Sequence, residues 1–303
     1  MRTCLDCLPC LLSQALKAAR AATDDEKVHR QVIDAVAAMI PQLSLGLRPP
    51  EMAQQGYRLI YQITRNDDPF YQAKVEANQA ALALYPRLKQ VVADSEEPLL
   101  TACKLAIGGN SIDLGPNFEQ VDMDSIVATA VASPLAINDY QQFRSSINNS
   151  RHILYLGDNA GEIVFDRVLI EELHQLKELE IDFVVRERPI INDVTLDDAI
   201  TVGMDKVARI ISSGSDAPAT ILSQCSSEML KLYYSADIII AKGQGNYESL
   251  NEERGNIFFL LRAKCPLVAD LLGVSVGDAI LKQNLARAKA KGNKDYCKEP
   301  RKF

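Results

Sequence analysis

Residues 152–185 read HILYLGDNAGEIVFDRVLIEELHQLKELEIDFVV, and their reading decides the fold. HILYL (152–156) is a short apolar run closed by Gly157, as expected of a strand buried on both faces. NAGEIVFDRVLIEELHQLK (159–177) places its apolar residues at the period of an amphipathic helix, and IDFVV (181–185) is a second short apolar run. Strand, helix, strand is a βαβ unit, whose crossover makes the two strands parallel.

The same alternation continues toward the carboxyl end. A polar loop RERPIIND (186–193) precedes the helical VTLDDAITVG (194–203), VARII (207–211) and a Ser/Gly loop. ADIIIA (236–241) runs into KGQGNYESL (242–250), and CPLVAD (265–270) into LLGVSVGD (271–278). The expected fold class is α/β: three layers, α/β/α, around a mainly parallel sheet. Residues 1–145 read differently. LLSQALKAARAA, HRQVIDAVAAMI, PPEMAQQGYRLIYQIT and YQAKVEANQAALALYPRLKQVVA have helical periodicity, punctuated by Pro41, Pro49, Pro50 and Pro69. GGNSIDLGP (108–116) breaks the pattern, and MDSIVATAVASPLAI (123–137) adds a helix and turn. The expected division is a helical cap over 1–145 and an α/β domain over 146–303 that carries the chemistry.

Composition bounds the function. The 303 residues are 47% hydrophobic and 24% charged, as in a globular protein, with no apolar run near the ~18 residues that cross a bilayer. No signal peptide is evident, and seven scattered cysteines do not form a secreted disulfide framework, so a cytoplasmic location is expected. A net charge of −7 argues against a nucleic-acid surface. The basic end Lys289–Lys302 reads as a solvated tail. Oligomeric state is not legible.

In open parallel sheets, ligands sit beyond the carboxyl ends of the strands. Three loops qualify: Gly157–Glu162, Arg186–Asp193 and Lys242–Glu248. Asp158, Asn159 and Asp193 offer hard oxygens suited to a divalent ion, although an Asx side chain in such a place also caps the helix that follows. Lys242 stands at the strand tip before Gly243 and Gly245, where an ammonium, flexible backbone and a helix start suit a phosphate. His29, His152 and His174 show no metal-type pairing, and the serine-hydrolase motif GxSxG is missing.

LGDNAGEIVFD, RPIINDVT and AKGQGNYESL together resemble the damage-control phosphatases, a family formerly without assigned function. GGNSIDLG and the amino-terminal CxxC are similar to its mainly prokaryotic branch. The resemblance runs from about residue 4 to about residue 280 and implies a metal-dependent phosphatase acting on phosphate esters of sugars or related metabolites. By motif it implies metal ligation by Asp158, Asn159 and Asp193, with Mn, Mg, Ni or Co as the ion. It implies phosphate binding by Lys242 with the 243–246 loop, Asn246 included, and Asn110 and Asp113 lining the same cleft. The nucleophile would be a metal-positioned water or Asp158 itself, and Glu162 or Asp113 the proton donor.

Two other readings stand beside it. Glycine-rich loops after parallel strands also bind nucleotides or S-adenosylmethionine, as in a methyltransferase, although GxGxxG is absent here. CLDCLPC (4–10) places Cys4, Cys7 and Cys10 at steps of three and can serve a second metal, a disulfide, or simple packing beside a helix beginning near Leu8.

Overall fold

The computed structural model describes residues 1–109 and 123–284. Its amino-terminal helices are α1 (Cys7–Ala22), α2 (Glu26–Met39), α3 (Pro49–Thr64), α4 (Tyr71–Ala93), α5 (Pro98–Gly109) and α6 (Met123–Ala132). There follow β1 (Leu135–Asn138), α7 (Tyr140–Asn149), β2 (His152–Leu156), α8 (Glu162–Leu176), β3 (Glu180–Val185), α9 (Leu196–Thr201) and β4 (Arg209–Ser212). The chain continues through α10 (Ser227–Ser235), β5 (Ile238–Lys242), α11 (Gly243–Leu250), β6 (Ile257–Arg262), α12 (Pro266–Leu272) and β7 (Ala279–Asn284).

The strands form one sheet in the order β1-β7-β6-β5-β2-β3-β4, parallel at every junction except β6–β7. Alternate residues face opposite layers, as the strand period of two requires. Ile153, Tyr155, Phe183, Ile240 and Phe258 pack with α4, α5, α7 and α8 on one face. Leu154, Val184, Ile239, Ile257 and Phe259 pack with α10, α11 and α12 on the other. This two-sided burial is why the strands read as continuous apolar runs. The architecture is the expected three-layer α/β/α fold, preceded by helices.

Packing distributes those helices unevenly. α4 and α5 contribute Ala81, Leu88, Cys103 and Ile107 to the same core as the sheet. α1, α2 and α3 keep a separate core of Leu11, Ala15, Val32, Val36, Tyr57 and Ile60, joined by Ile190 from the loop after β3. A boundary near residue 145 would therefore fall inside α7 and divide a shared core. The segment expected as helix and turn ends in β1, whose partner is β7, far along the chain. Among the described residues no helix is long and apolar enough to cross a membrane.

The topology locates a crevice. From β2 the chain builds outward through β3 and β4, then crosses back to add β5 and β6 on the other side. The order reverses between β2 and β5, the kind of switch point at which open parallel sheets take their ligands.

Candidate active site

The loop after β2 is stitched to the loop after β3. Asn159 and Asp193 form an isolated antiparallel bridge, Val194 N donates to Asp158 O at 2.8 Å, and Ala160 N donates to Asn192 O at 2.9 Å. Asp193 Oδ2 accepts from Arg186 Nε at 2.8 Å and from Ala219 N at 3.2 Å. Arg186 is fully buried and also donates to Gly157 O at 3.1 Å and Thr220 Oγ1 at 3.4 Å. One guanidinium thus ties the ends of β2 and β3 to the 213–224 loop.

Asp158 is buried, and its Oδ2 accepts from Asn159 Nδ2 at 2.8 Å. Burial first, then the charges of Glu162 and Asp193, push its carboxyl up to about 8, while Lys264 and Arg186 oppose the shift. Asp193 is also pushed upward, since burial outweighs the Arg186 guanidinium. Gly243 closes the other side of Asp158. Its φ is +77°, and a β-carbon there would stand 1.9 Å from Asp158 Oδ2, so only glycine lets β5 and α11 approach this carboxylate.

Lys242 is placed differently from the expectation. Its ammonium is fully buried and donates to Ala106 O at 2.9 Å, to Glu162 Oε1 and to Asp166 Oδ1. Three hydrogens meet three acceptors, leaving none for a substrate phosphate in this arrangement. Burial works against its charge, but Asp166 and Glu162 more than offset this and raise its pKa. Asp166 also accepts from Tyr155 Oη at 2.8 Å, and burial dominates its shift up to about 7. Asn246 is likewise turned inward. It accepts from Thr220 N at 2.9 Å and donates to Lys242 O at 2.7 Å and Gly157 O at 3.3 Å, which makes it a tie between loops. Gly245 runs beside Ala219. Asn110 and Asp113 lie outside the described residues.

The donor set suits a hard divalent cation. Asp158, Glu162, Asp166 and Asp193 are four buried carboxylates beside two buried cations, Arg186 and Lys242. Asp158, Asn159 and Asp193 could hold the ion, with the Asn159 amide turned to present Oδ1. Among the described residues no three His, Cys, Asp or Glu side chains are grouped so that they could hold a metal ion. Two carboxylates and an amide make a partial shell, such as Mg²⁺ takes when water and substrate phosphate complete it.

The cysteine motif supplies no second centre among the described residues. Cys4 and Cys7 stand 3.8 Å apart at Sγ, while Cys10 is exposed and accepts from Gln14 Nε2 at 3.2 Å. Cys7 opens α1, and burial pushes its thiol up to about 12.

Sequence reasoning missed four contributors: Arg186, Asp166, Tyr155 and Lys264. Asp166 was discoverable, because it lies one helical turn after Glu162 and a like-charge pair at that spacing calls for a cation between them. Lys264 follows β6, is exposed, and lies within electrostatic reach of Asp158. Its backbone N donates to Gln244 Oε1 at 2.8 Å, fixing this segment against the first turn of α11.

Comparison with known proteins identifies the family. The model of the damage-control phosphatase ARMT1-like domain matches residues 3–280. A damage-control phosphatase of Pyrococcus horikoshii is 33% identical, the match covering 94% of this chain and 99% of that protein. A damage-control phosphatase of Archaeoglobus fulgidus is 35% identical over 91% of this chain and 97% of its own length. A crystal structure of a domain-of-unknown-function-89 protein from P. horikoshii superposes with a TM-score of 0.87 at 32% identity, covering 94% of this chain and all of that one. The chain therefore belongs to the damage-control phosphatase ARMT1-like family, and by that membership is a phosphatase.

Proposed function

We propose that the protein is a divalent-metal-dependent phosphatase that hydrolyses a phosphomonoester of a sugar or related small metabolite in the crevice between β2 and β5. The observation that carries this reading is the gathering of four buried carboxyl groups, Asp158, Glu162, Asp166 and Asp193, with Arg186 and Lys242 at the switch point of the sheet. Asp158, Asn159 and Asp193 would hold Mn²⁺, Mg²⁺, Ni²⁺ or Co²⁺. When bound, the ion would withdraw charge from a phosphoryl oxygen as the P–O bond breaks.

The chain's own groups do the rest. First-turn amides of a helix lack intrahelical partners, so those of α11 are suited to receive phosphoryl oxygens. Lys264 adds the exposed ammonium that Lys242 does not provide. Lys242 donates to Glu162 Oε1 and Asn159 Nδ2 donates to Glu162 Oε2 at 3.3 Å, so both oxygens accept and Glu162 acts by orienting Asn159, which leaves Asp113 as the proton donor to the leaving oxygen. Asp158 abuts Gly243 and serves the attacking oxygen, either by holding a water or as the nucleophile. Asn110 and Asp113 are assigned to the same crevice by motif alone. The cap is best restricted to α1–α3, which have their own core.

The test is a screen of phosphorylated metabolites with Mg²⁺, Mn²⁺, Co²⁺ and Ni²⁺ in turn, with Asp193→Ala run in parallel. Metal-stimulated release of phosphate by the wild type alone is the expected result. Equal release by both proteins would remove the site.

A further inference from the structure

One face of α3 holds both loops that orient Asp193. Gln54, Tyr57, Arg58 and Tyr61 follow the i, i+3, i+4, i+7 spacing that lines one side of a helix. Arg58 forks onto Asp216, with Nη2 to Oδ1 at 2.6 Å and Nε to Oδ2 at 2.9 Å. Gln54 Nε2 donates to the same Asp216 Oδ1 at 2.6 Å and to Gln224 Oε1 at 2.8 Å, and Gln224 returns a bond at 3.0 Å. These contacts fasten both ends of the segment that presents Ala219 N to Asp193. One turn along, the Tyr61 hydroxyl accepts from Ile191 N at 3.3 Å, two residues before Asp193. Buried Tyr57 backs Tyr61 edge-on, with ring centroids 5.9 Å apart.

The two held loops share an unusual backbone. Ile191 has φ +50° and Ala219 φ +68°, both left-handed, and a β-branched residue there is disfavoured. Such conformations persist where surrounding contacts enforce them. Besides Arg186 and Asn246, which reach the second loop at Thr220, those contacts include α3, which belongs to a different core from the sheet.

We propose that the α3 face, through Arg58 and Tyr61, is the positioning device for Asp193, so that the α1–α3 unit sets the metal affinity of a site to which it gives no ligand. The inference rests on the metal-site reading above and extends it to residues outside the crevice. A group that orients a ligand from outside its shell commonly alters metal affinity by about tenfold or more.

The experiment uses the full chain without substrate. Mn²⁺ binding is measured by electron paramagnetic resonance for wild type, Tyr61→Phe, Arg58→Gln, Arg58→Lys and the control Arg30→Gln, whose ion pair with Asp34 lies exposed on α2. Hydrogen exchange is followed in the same proteins. Tyr61→Phe and Arg58→Gln should each weaken Mn²⁺ binding about tenfold, Arg58→Lys should recover part of the loss, and the control should match wild type. Exchange should rise in 187–195 for Tyr61→Phe and in 213–224 for Arg58→Gln, with the sheet unchanged. Dissociation constants within twofold of wild type in both variants would overturn the proposal, as would exchange rising uniformly along the chain. Failure of wild type to bind Mn²⁺ would overturn the site reading and this inference together, whereas normal wild-type binding with unaffected variants would overturn this inference alone.

Discussion

Gly243 stands so close to Asp158 that a β-carbon on it would lie 1.9 Å from the Asp158 Oδ2. The contact joins the tips of β5 and β2 across the switch point and leaves the carboxylate no room to retreat. Gly243→Ala adds a clash to an unfavourable φ of +77°. Phosphatase activity should fall at least about a hundredfold, with more of the loss in kcat than in KM, because a misplacement of ~1 Å at a reacting group carries that penalty. Steady-state kinetics on the folded variant checks this.

Removing a ligand should act differently from distorting one. Asp158→Ala and Asp193→Ala should each abolish metal-stimulated turnover. Asp193→Ala also strands the buried Arg186, so it should lose ~3 kcal/mol or more of stability, in the range for breaking a buried pair. Urea denaturation with activity measured on the same samples separates the two effects. Near-normal turnover at saturating metal in either variant would refute the assignment.

The buried Lys242 pairs make a stability prediction rather than a binding one. Lys242→Met leaves Glu162 and Asp166 facing each other without a cation and should destabilise the fold by ~3–5 kcal/mol at neutral pH. Adding Asp166→Asn removes one of the repelling charges and should recover part of the loss. Equal denaturation midpoints for the single and double variants would show that the lysine does not compensate these acids.

Lys264 is exposed, so its replacement should spare the fold. Lys264→Ala should raise the inhibition constant of inorganic phosphate several-fold, and Lys264→Arg should restore most of it because a cation at the mouth is retained. Unchanged phosphate inhibition in Lys264→Ala would place the phosphate elsewhere.

Away from the crevice, Asp182 governs part of the acid stability. Burial alone would raise its pKa, but hydrogen bonds from Arg209 and then His152 outweigh burial and hold it below the usual carboxylate range. A depressed folded-state pKa contributes stability above the unfolded value of about 4, and this is lost as pH falls through the folded value. Asp182→Asn should therefore lower Tm at pH 6, and the gap from wild type should close as pH drops below about 4. A gap that stays constant down to pH 2 would mean that the shift does not contribute.

The amino-acid sequence by itself determined the α/β/α class, because the central strands, covered on both faces, read as short and nearly continuous apolar runs between amphipathic helices. It also marked the loops, since Gly157 and Gly161 with Asp158 and Asn159, Gly243 and Gly245 with Asn246, and the polar RERPIIND stretch stand out against apolar strands. Tertiary structure decided what those loops do. Lys242 reads as a phosphate ligand until α8 is packed against β5, when Glu162 and Asp166 claim its ammonium. Arg186 and Lys264 carry no local signal, because an arginine or lysine in a polar loop is ordinary until its partner is known. β1 went unread for the same reason, since its hydrogen bonds go to β7, more than a hundred residues away. Periodicity reports only which sides of an element are buried, whereas pairing of charges and of edge strands depends on contacts between distant segments.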